Sequence, residues 1–304
     1  MFSEKDIKQI ESKGISLNKV KEQVEVFKKG LAFINIKDIA TIGKGIIEIT
    51  EDQKQYYINY YDKIRDRISI VKFVPASGAA SRMFKFLFQF LKEYDIKKES
   101  INSYINRNKA QELSLFLVGL DKFSFYEEVL KATKVYHPNF DDLNSNEKMY
   151  AFVQTLLDEK RLNYGFCPKG LLPFHKYKDH VSTAFEEHLF EAAMSASSNG
   201  KANLHFTISE KFNHTFDNEY KRIEKIVEDK TNTAFDISFS YQKQGTDTIA
   251  VDLNNKPFRD ENNNLLFRPS GHGALLENLN DLDADLIFIK NIDNVVVYKF
   301  EEKV

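Results

Sequence analysis

The chain is poor in the residue types that mark several classes of protein. Its 304 residues include one cysteine, Cys167, and no tryptophan. A single cysteine excludes an internal disulfide and a cysteine-based zinc site, and it fits a reducing, cytoplasmic compartment. No run approaches the ~18 apolar residues that span a membrane, and the N-terminus lacks the apolar core of a targeting peptide. We therefore predict a cytoplasmic protein with no membrane partner.

An excess of charge of one sign is also missing. Lys and Arg number 43 against 45 Asp and Glu, a net charge of −2, which gives no electrostatic basis for nucleic-acid binding. Hydrophobic residues make up 42% of the chain, enough to build one large domain or two small ones. There is no Gly-x-Ser-x-Gly elbow and Ser77 has no assignable histidine partner, so a hydrolase triad is excluded.

What is present first is a helical N-terminal segment. Residues 1–66 read as helices capped by Ser3, Ser16 and Thr50. Tyr57 and Tyr61 fall on one face of the third helix, and we favour core packing for them over a surface that stacks a base. The prediction is a helical segment, 1–66, packed on the core of the protein.

The remainder, 67–304, reads as one α/β domain. β-like runs at 68–74, 204–208, 236–241 and 286–289 alternate with helical runs. This order predicts a mostly parallel, Rossmann-like sheet flanked by helices. Residues 86–166 read as a helical insertion, which is either a lid, a substrate-binding subdomain or a structural elaboration.

The most informative segment is a loop of small residues between the first strand and the next helix, where residues 73–85 read FVPASGAASRMFK. A strand that ends in small residues and restarts as a helix presents free N–H groups at a positive dipole end, and phosphate binds there without side chains. The alternative is a tight turn with no ligand. The residues predicted to bind phosphate are Ala76, Ser77, Gly78, Ala79, Ala80 and Ser81.

This loop resembles the signature loop of nucleotidyltransferases that make nucleotide sugars, with Ser81, Arg82 and Met83 as its final residues. Residues 167–174, CPKGLLPF, resemble the Pro-Lys-Gly element of UDP-sugar pyrophosphorylases. Residues 268–275, RPSGHGAL, resemble their Pro-x-Gly-His/Asn-Gly motif, and residues 287–294, IFIKNIDN, their strand followed by Asn-x-Asp-Asn. The chain also resembles an uncharacterised bacterial family of unknown function that is related to these enzymes.

The resemblance implies a nucleotide-diphospho-sugar transferase-like fold. It also implies transfer of a nucleotidyl group, with a lean to UTP, to a sugar 1-phosphate and release of pyrophosphate. The partners would be nucleotide and sugar-phosphate small molecules. Arg82 and Lys169 would be catalytic, and Asp293 would hold Mg²⁺. The residues implied to bind the nucleotide base are Gln242, Gln244, Gly271, His272 and Gly273.

Two departures from the family pattern keep other functions open. The loop has Gly78 as its one glycine where the family has two or three, and only ten residues follow Asn294, where the family continues. We therefore expect nucleotide binding more firmly than turnover. The alternatives are a non-catalytic nucleotide-binding protein of the same fold and an interaction scaffold that uses the helical insertion. Arg82 could instead form an ion pair on its helix, and Asp293 an Asx turn. The sugar and the oligomeric state stay open.

Overall fold

A computed structural model describes residues 2–178 and 180–297, with only the backbone of His272. These residues form eleven α-helices: α1 (Glu4–Ser12), α2 (Leu17–Lys29), α3 (Glu51–Ile64), α4 (Lys85–Glu93), α5 (Ile101–Asn108), α6 (Gln111–Val118), α7 (Tyr126–Tyr136), α8 (Ser145–Leu157), α9 (Ala184–Ser195), α10 (Asn213–Thr231) and α11 (Leu276–Asn280). They also form eleven strands: β1 (Thr41–Ile42), β2 (Gly45–Ile46), β3 (Ile70–Pro75), β4 (Pro173–Lys176), β5 (Val181–Thr183), β6 (Ser197–Ser198), β7 (Lys201–Ile208), β8 (Ala234–Tyr241), β9 (Thr248–Ile249), β10 (Phe267–Arg268) and β11 (Leu286–Ile289). The predicted α/β class is confirmed.

The chain divides into two compact units. The first combines residues 1–71 with residues 240–287, and the second combines residues 72–239 with residues 288–304. This division differs from the predicted one at residue 66, because the N-terminal helices cluster with a segment near the C-terminal end. No helix in the described parts of the chain is long and apolar enough to cross a membrane.

The first unit is organised around α1, α2 and the antiparallel pair β9–β10. Ser3, Ser16 and Thr50 accept hydrogen bonds from the first turns of α1, α2 and α3, as predicted. Helix α3, in contrast, buries none of its residues, so the core position expected for Tyr57 is wrong. The small core consists of Ile10, Ile15, Val20, Val24, Ile249 and Leu265.

An ion pair between the buried Asp6 and the partly exposed Arg259 joins α1 to the loop before β10. The guanidinium of Arg259 donates two hydrogen bonds to the Asp6 carboxylate, at 2.8 and 2.9 Å. Asp6 also accepts from the Ser3 backbone as part of a capping box. These hydrogen bonds, chiefly those from Arg259, hold the pKa of Asp6 well below its usual range.

The five-stranded sheet has the order β11-β3-β7-β6, with β8 also paired to β7. Strands β3 and β7 are parallel, with residues 72–75 opposite residues 204–207. Strand β6 is antiparallel to β7, because Asn199 and Gly200 between them adopt φ of 49° and 72° and close a two-residue hairpin. Such Asn-Gly turns favour hairpins. The sheet is therefore mixed, and the prediction of a mostly parallel sheet is corrected because β6 pairs with β7 in the antiparallel direction.

Helices α4 to α8 belong to the second unit and occupy the segment predicted as a helical insertion, 86–166. Their shared core is rich in aromatic rings. Phe90 stacks on Tyr94 at 4.9 Å and meets Tyr104 edge to face at 5.4 Å. Aromatic pairs of this kind contribute beyond the area they bury. The abundant Phe and Tyr of the sequence are thus largely core residues here.

A buried ionic network joins β3, α9 and the segment after β11 within the second unit. Lys72, which is 1% exposed, donates to the Glu191 carboxylate at 2.8 Å and to the backbone oxygen of His188 at 3.1 Å. Lys290 donates to the other Glu191 oxygen at 2.6 Å. Burial lowers the pKa of Lys72 to about 8. Burial alone would raise the pKa of Glu191, but the two ammonium groups outweigh it and lower that pKa.

Candidate functional site

The small-residue loop follows β3 directly, as predicted. A 3₁₀ turn, Ala80–Arg82, comes next, and α4 begins at Lys85. The Ala76 amide donates to the Thr207 oxygen at 2.8 Å and the Ala80 amide to the Cys167 oxygen at 3.1 Å. These two N–H groups already donate to protein oxygens and are therefore not available to a ligand.

The other amides of the loop remain open to a ligand. Within the described residues, the N–H groups of Gly78, Ala79 and Ser81 donate to no protein acceptor, and all three residues are exposed. A Cβ added at Gly78 would meet no heavy atom within 4 Å. In the predicted phosphate loop, three of the four amides from Gly78 to Ser81 are thus open to a ligand.

The Pro-Lys-Gly element lies against this loop. The Lys169 amide donates to the Gly78 oxygen at 3.1 Å, and Pro168 forms an antiparallel bridge with Ala79. Two segments separated by five helices in the sequence are therefore hydrogen-bonded to each other through their backbones. The helical segment does not keep them apart.

Lys169 also contacts the Asn-x-Asp-Asn segment. Its ammonium donates to the Asp293 carboxylate at 2.6 Å, across 124 residues of sequence. The side chains of Lys169 and Asp293 are 29% and 45% exposed, so the pair is open to solvent. Three predicted motif segments, the small-residue loop, Pro-Lys-Gly and Asn-x-Asp-Asn, thus converge in the second unit.

Packing and hydrogen bonds hold the Asp293 segment in place. A Cβ added at Gly170 would lie 3.1 Å from the Ile292 side chain and 3.2 Å from that of Phe216, so a larger residue would require these side chains to shift. The ring of His188, which is fully buried, contacts the Ile292 oxygen through Nε2 at 3.2 Å. Burial holds the pKa of His188 well below its usual value, so the ring is neutral and donates from Nε2 to the carbonyl.

The fit of the site to Mg²⁺ rests on one carboxylate. Among residues 2–178 and 180–297, no group of three His, Cys, Asp or Glu side chains could hold a metal ion. Mg²⁺ is commonly bound through one or two carboxylates together with substrate phosphates and water. Asp293 therefore fits the ion only in the company of a bound phosphate.

The Lys169–Asp293 pair lies in the wall of a cavity of about 610 Å³ within the second unit. Most of the other lining residues are apolar and come from residues 83–84, α4, α6 and the segments 123–125 and 172–174. Ligand sites of proteins are typically ~300–1,000 Å³ with apolar walls and a few placed polar groups. This cavity meets that description.

Arg82 is exposed and lies in the 3₁₀ turn that ends the loop. No ion pair or hydrogen bond joins its side chain to another residue in the described ranges. The alternative of an ion pair on its helix face therefore finds no partner here. An exposed guanidinium beside three open amides is available to a ligand.

The residues implied to bind the base, Gln242, Gln244, Gly271, His272 and Gly273, belong to the first unit. Gln242 donates to the Thr246 hydroxyl at 3.3 Å, and Ser270 donates to the Thr246 oxygen at 2.7 Å. These contacts bring the segment of Gln242 and Gln244 beside the loop of Gly271, His272 and Gly273. The His272 side chain lies outside the described residues.

Sequence reasoning missed the network that supports the site. Lys72 interrupts an otherwise apolar strand, IVKFVP, and a lysine in a buried strand needs a partner. That signal could have pointed to Glu191 on α9. His175 contacts Glu187 at 2.9 Å, and that buried carboxylate also accepts a hydrogen bond from Tyr177 at 2.8 Å.

Residues 3–304 match a family described as a domain of unknown function (DUF4301). No curated protein and no solved structure matches the chain.

Proposed function

The chain belongs to the DUF4301 family, and we propose that it is a nucleotidyltransferase-like protein that binds a nucleoside triphosphate or a UDP-sugar. The observation that carries this proposal is the position of Lys169. Its amide bonds to Gly78 and its ammonium to Asp293, so one residue connects three segments that resemble UDP-sugar pyrophosphorylases. The finer fold assignment, a nucleotide-diphospho-sugar transferase-like domain, belongs to the same proposal.

The proposed reaction joins a sugar 1-phosphate to the α-phosphorus of UTP. A phosphate oxygen of the sugar phosphate attacks that phosphorus, the bond to the β-phosphate oxygen breaks, and pyrophosphate leaves. Such a reaction is accelerated by positioning and by neutralising charge. The open amides of Gly78, Ala79 and Ser81 would bind phosphate oxygens, and Arg82 would clamp them with its planar fork.

Lys169 would place a mobile positive charge near the α-phosphate or the leaving pyrophosphate. It makes one hydrogen bond, to Asp293, and an ammonium has three donors. Asp293 would hold Mg²⁺ together with phosphate oxygens, and the ion would supply further neutralisation of phosphate charge.

The test is calorimetric titration with UTP, UDP-glucose, ATP and GTP, each with and without Mg²⁺. Arg82→Ala is the informative variant, because the side chain is exposed and contacts no hydrogen-bonding or ionic partner in residues 2–178 and 180–297. It should weaken UTP binding by ~1.5–3 kcal/mol, the range for hydrogen bonds to charged groups, with an unchanged melting temperature. Lys92→Ala, which removes a positive charge from the far end of α4, should bind UTP as the wild type does.

Two results would reject the proposal in different ways. Binding of no nucleotide would leave the scaffold alternative, in which the helices of residues 86–166 bind a partner. Nucleotide binding without pyrophosphate release, across a panel of sugar 1-phosphates, would leave the non-catalytic alternative. The single glycine of the loop favours that second alternative, because fewer glycines leave less room at the phosphates.

A further inference from the structure

The cavity beside Lys169 and Asp293 has walls that a sugar does not match. Its polar lining is sparse, and one of its polar groups, the Ser124 hydroxyl, already donates to the Pro173 oxygen at 2.7 Å. Hydroxyl groups of a ligand buried here would lose water without gaining enough partners, which costs free energy. The residues that dominate the wall are phenylalanines: Phe84, Phe86, Phe116, Phe123, Phe125 and Phe174.

Four of these rings form a continuous series. Phe116 lies 5.2 Å from Phe123, and Phe123 stacks on Phe125 at 5.0 Å with an angle of 8° between their planes. Phe125 in turn meets Phe84 edge to face at 6.4 Å. Contacts between the rings hold this series in place, and Phe123 is still 36% exposed. A preformed aromatic surface of this kind favours an apolar or aromatic ligand group.

The same wall contains a group for an anion. The Lys169 ammonium uses one of its three donors on Asp293, so two can bind phosphate oxygens. We propose that this cavity binds an amphipathic phosphate, with the phosphate at Lys169 and an aromatic or branched aliphatic body against the phenylalanines. The inference rests on the proposed function in one respect, the role of Lys169 as a phosphate ligand. It differs from that proposal in the acceptor, which is an apolar phosphate in place of a sugar 1-phosphate.

This assignment gives the helical segment a role in specificity. Leu115 and Phe116 come from α6, and Phe123 and Phe125 from the turn before α7. These residues lie within the segment 86–166, while Lys169 and Asp293 come from outside it. The helices would therefore select the body of the acceptor, and the loop segments would bind its phosphate.

The experiment titrates the full chain with 1-naphthyl phosphate, glucose 1-phosphate, 1-naphthol and UTP. In the wild type, 1-naphthyl phosphate should bind at least about 10-fold more tightly than glucose 1-phosphate, a difference of ~1.4 kcal/mol. 1-Naphthol, which lacks the phosphate, should bind at least about 10-fold more weakly than 1-naphthyl phosphate. Equal affinity for the two phosphates, or for 1-naphthol and its phosphate, would overturn the inference.

Variants then locate the apolar body. Phe123→Ser should weaken 1-naphthyl phosphate about 5- to 30-fold, the loss expected for ~1–2 kcal/mol of aromatic contact, and leave glucose 1-phosphate unchanged. Leu115→Ser, at a residue 73% exposed, should act in the same direction without affecting folding. Phe166→Ser is the matched control, since Phe166 is 44% exposed and lies outside the cavity wall. Unchanged naphthyl binding in both cavity variants would overturn the inference.

The UTP titrations separate this inference from the proposed function. If Phe123→Ser weakens UTP as much as 1-naphthyl phosphate, the cavity holds the base and the acceptor assignment is wrong. If UTP fails to bind at all while 1-naphthyl phosphate binds and depends on Phe123, the nucleotidyltransferase proposal fails and the amphipathic-phosphate site stands.

Discussion

Replacing Glu191 with glutamine should destabilise this protein by about 1.5–3 kcal/mol, because loss of the Lys72 proton limits the ~3–5 kcal/mol that removing one partner of a buried ion pair usually costs. Glu191 is 4% exposed and neutralises Lys72, which is 1% exposed, at 2.8 Å. Glutamine keeps the shape of the side chain but removes the charge. Lys72 must then stay charged without a counter-charge or lose its proton. Lys290 is 29% exposed and can turn to water, so it contributes little to this cost.

The converse change, Lys72→Met, should cost less than about 1.5 kcal/mol, because it removes a desolvated charge and fills the site with a side chain of similar length. Glu191 keeps Lys290 as a partner at 2.6 Å in this variant. The main loss is the hydrogen bond to the His188 oxygen, about 1 kcal/mol. In the Lys72→Met background, Glu191→Gln should lower the free energy of unfolding by about 0.5–3 kcal/mol less than it does in the wild type, the usual range of coupling between residues in contact.

The pH dependence follows from the pKa of Lys72, which burial lowers from 10.5 to about 8. Between these values the unfolded chain binds more protons than the folded chain, so the contribution of Lys72 to stability rises with pH. This slope should be absent in Lys72→Met. The penalty of Glu191→Gln should also shrink above pH 8, where the wild-type lysine itself loses its charge.

The wild type, the two single variants and the double variant together form a double-mutant cycle. Urea unfolding of these four proteins, followed by circular dichroism at about pH 7 and about pH 9.5, measures the coupling of Lys72 to Glu191 and its pH dependence. Equal denaturant slopes in all four proteins are needed for the free energies to be compared. A Glu191→Gln penalty below about 1 kcal/mol, or one that is the same with and without Lys72, would refute the reasoning. The buried lysine would then not depend on this carboxylate.

Three other outcomes are expected. Gly170→Val should destabilise the protein by about 1–3 kcal/mol in urea unfolding, because its side chain would overpack against Ile292; an unchanged midpoint would contradict this. Asp6→Asn should cost about 1.5–3 kcal/mol at neutral pH. Because Arg259 holds the folded pKa of Asp6 below its usual value, this contribution is present above about pH 4 and is lost progressively below it. The difference in free energy of unfolding between wild type and variant should therefore become smaller as the pH is lowered below about 4. Asp293→Asn should abolish the Mg²⁺-dependent gain in UTP affinity in calorimetry and spare metal-free binding; an unaltered Mg²⁺ dependence would remove Asp293 from the proposed site.

Local patterns in the sequence were sufficient for most elements. The strand predicted at 286–289 is β11 with the same bounds, and Ser3 is the predicted cap of α1, where it forms a capping box with Asp6. Both depend on neighbours in sequence, through apolar runs and side chains that reach the nearest amides. The antiparallel direction of β6 also depends on a local signal, the Asn199-Gly200 turn, which the prediction of a mostly parallel sheet did not include.

The sequence by itself determined the α/β class, the caps, and the loop of small residues after β3, because propensity and periodicity act over a few residues. Only the tertiary structure decided that the Lys169 amide meets the Gly78 oxygen and that the Lys169 ammonium meets Asp293. Tertiary contacts also decided that Lys72 finds Glu191 on α9. Such contacts join residues about a hundred positions apart, and no short-range preference encodes them. They form because buried charges and backbone groups must find partners once the strands and helices have packed.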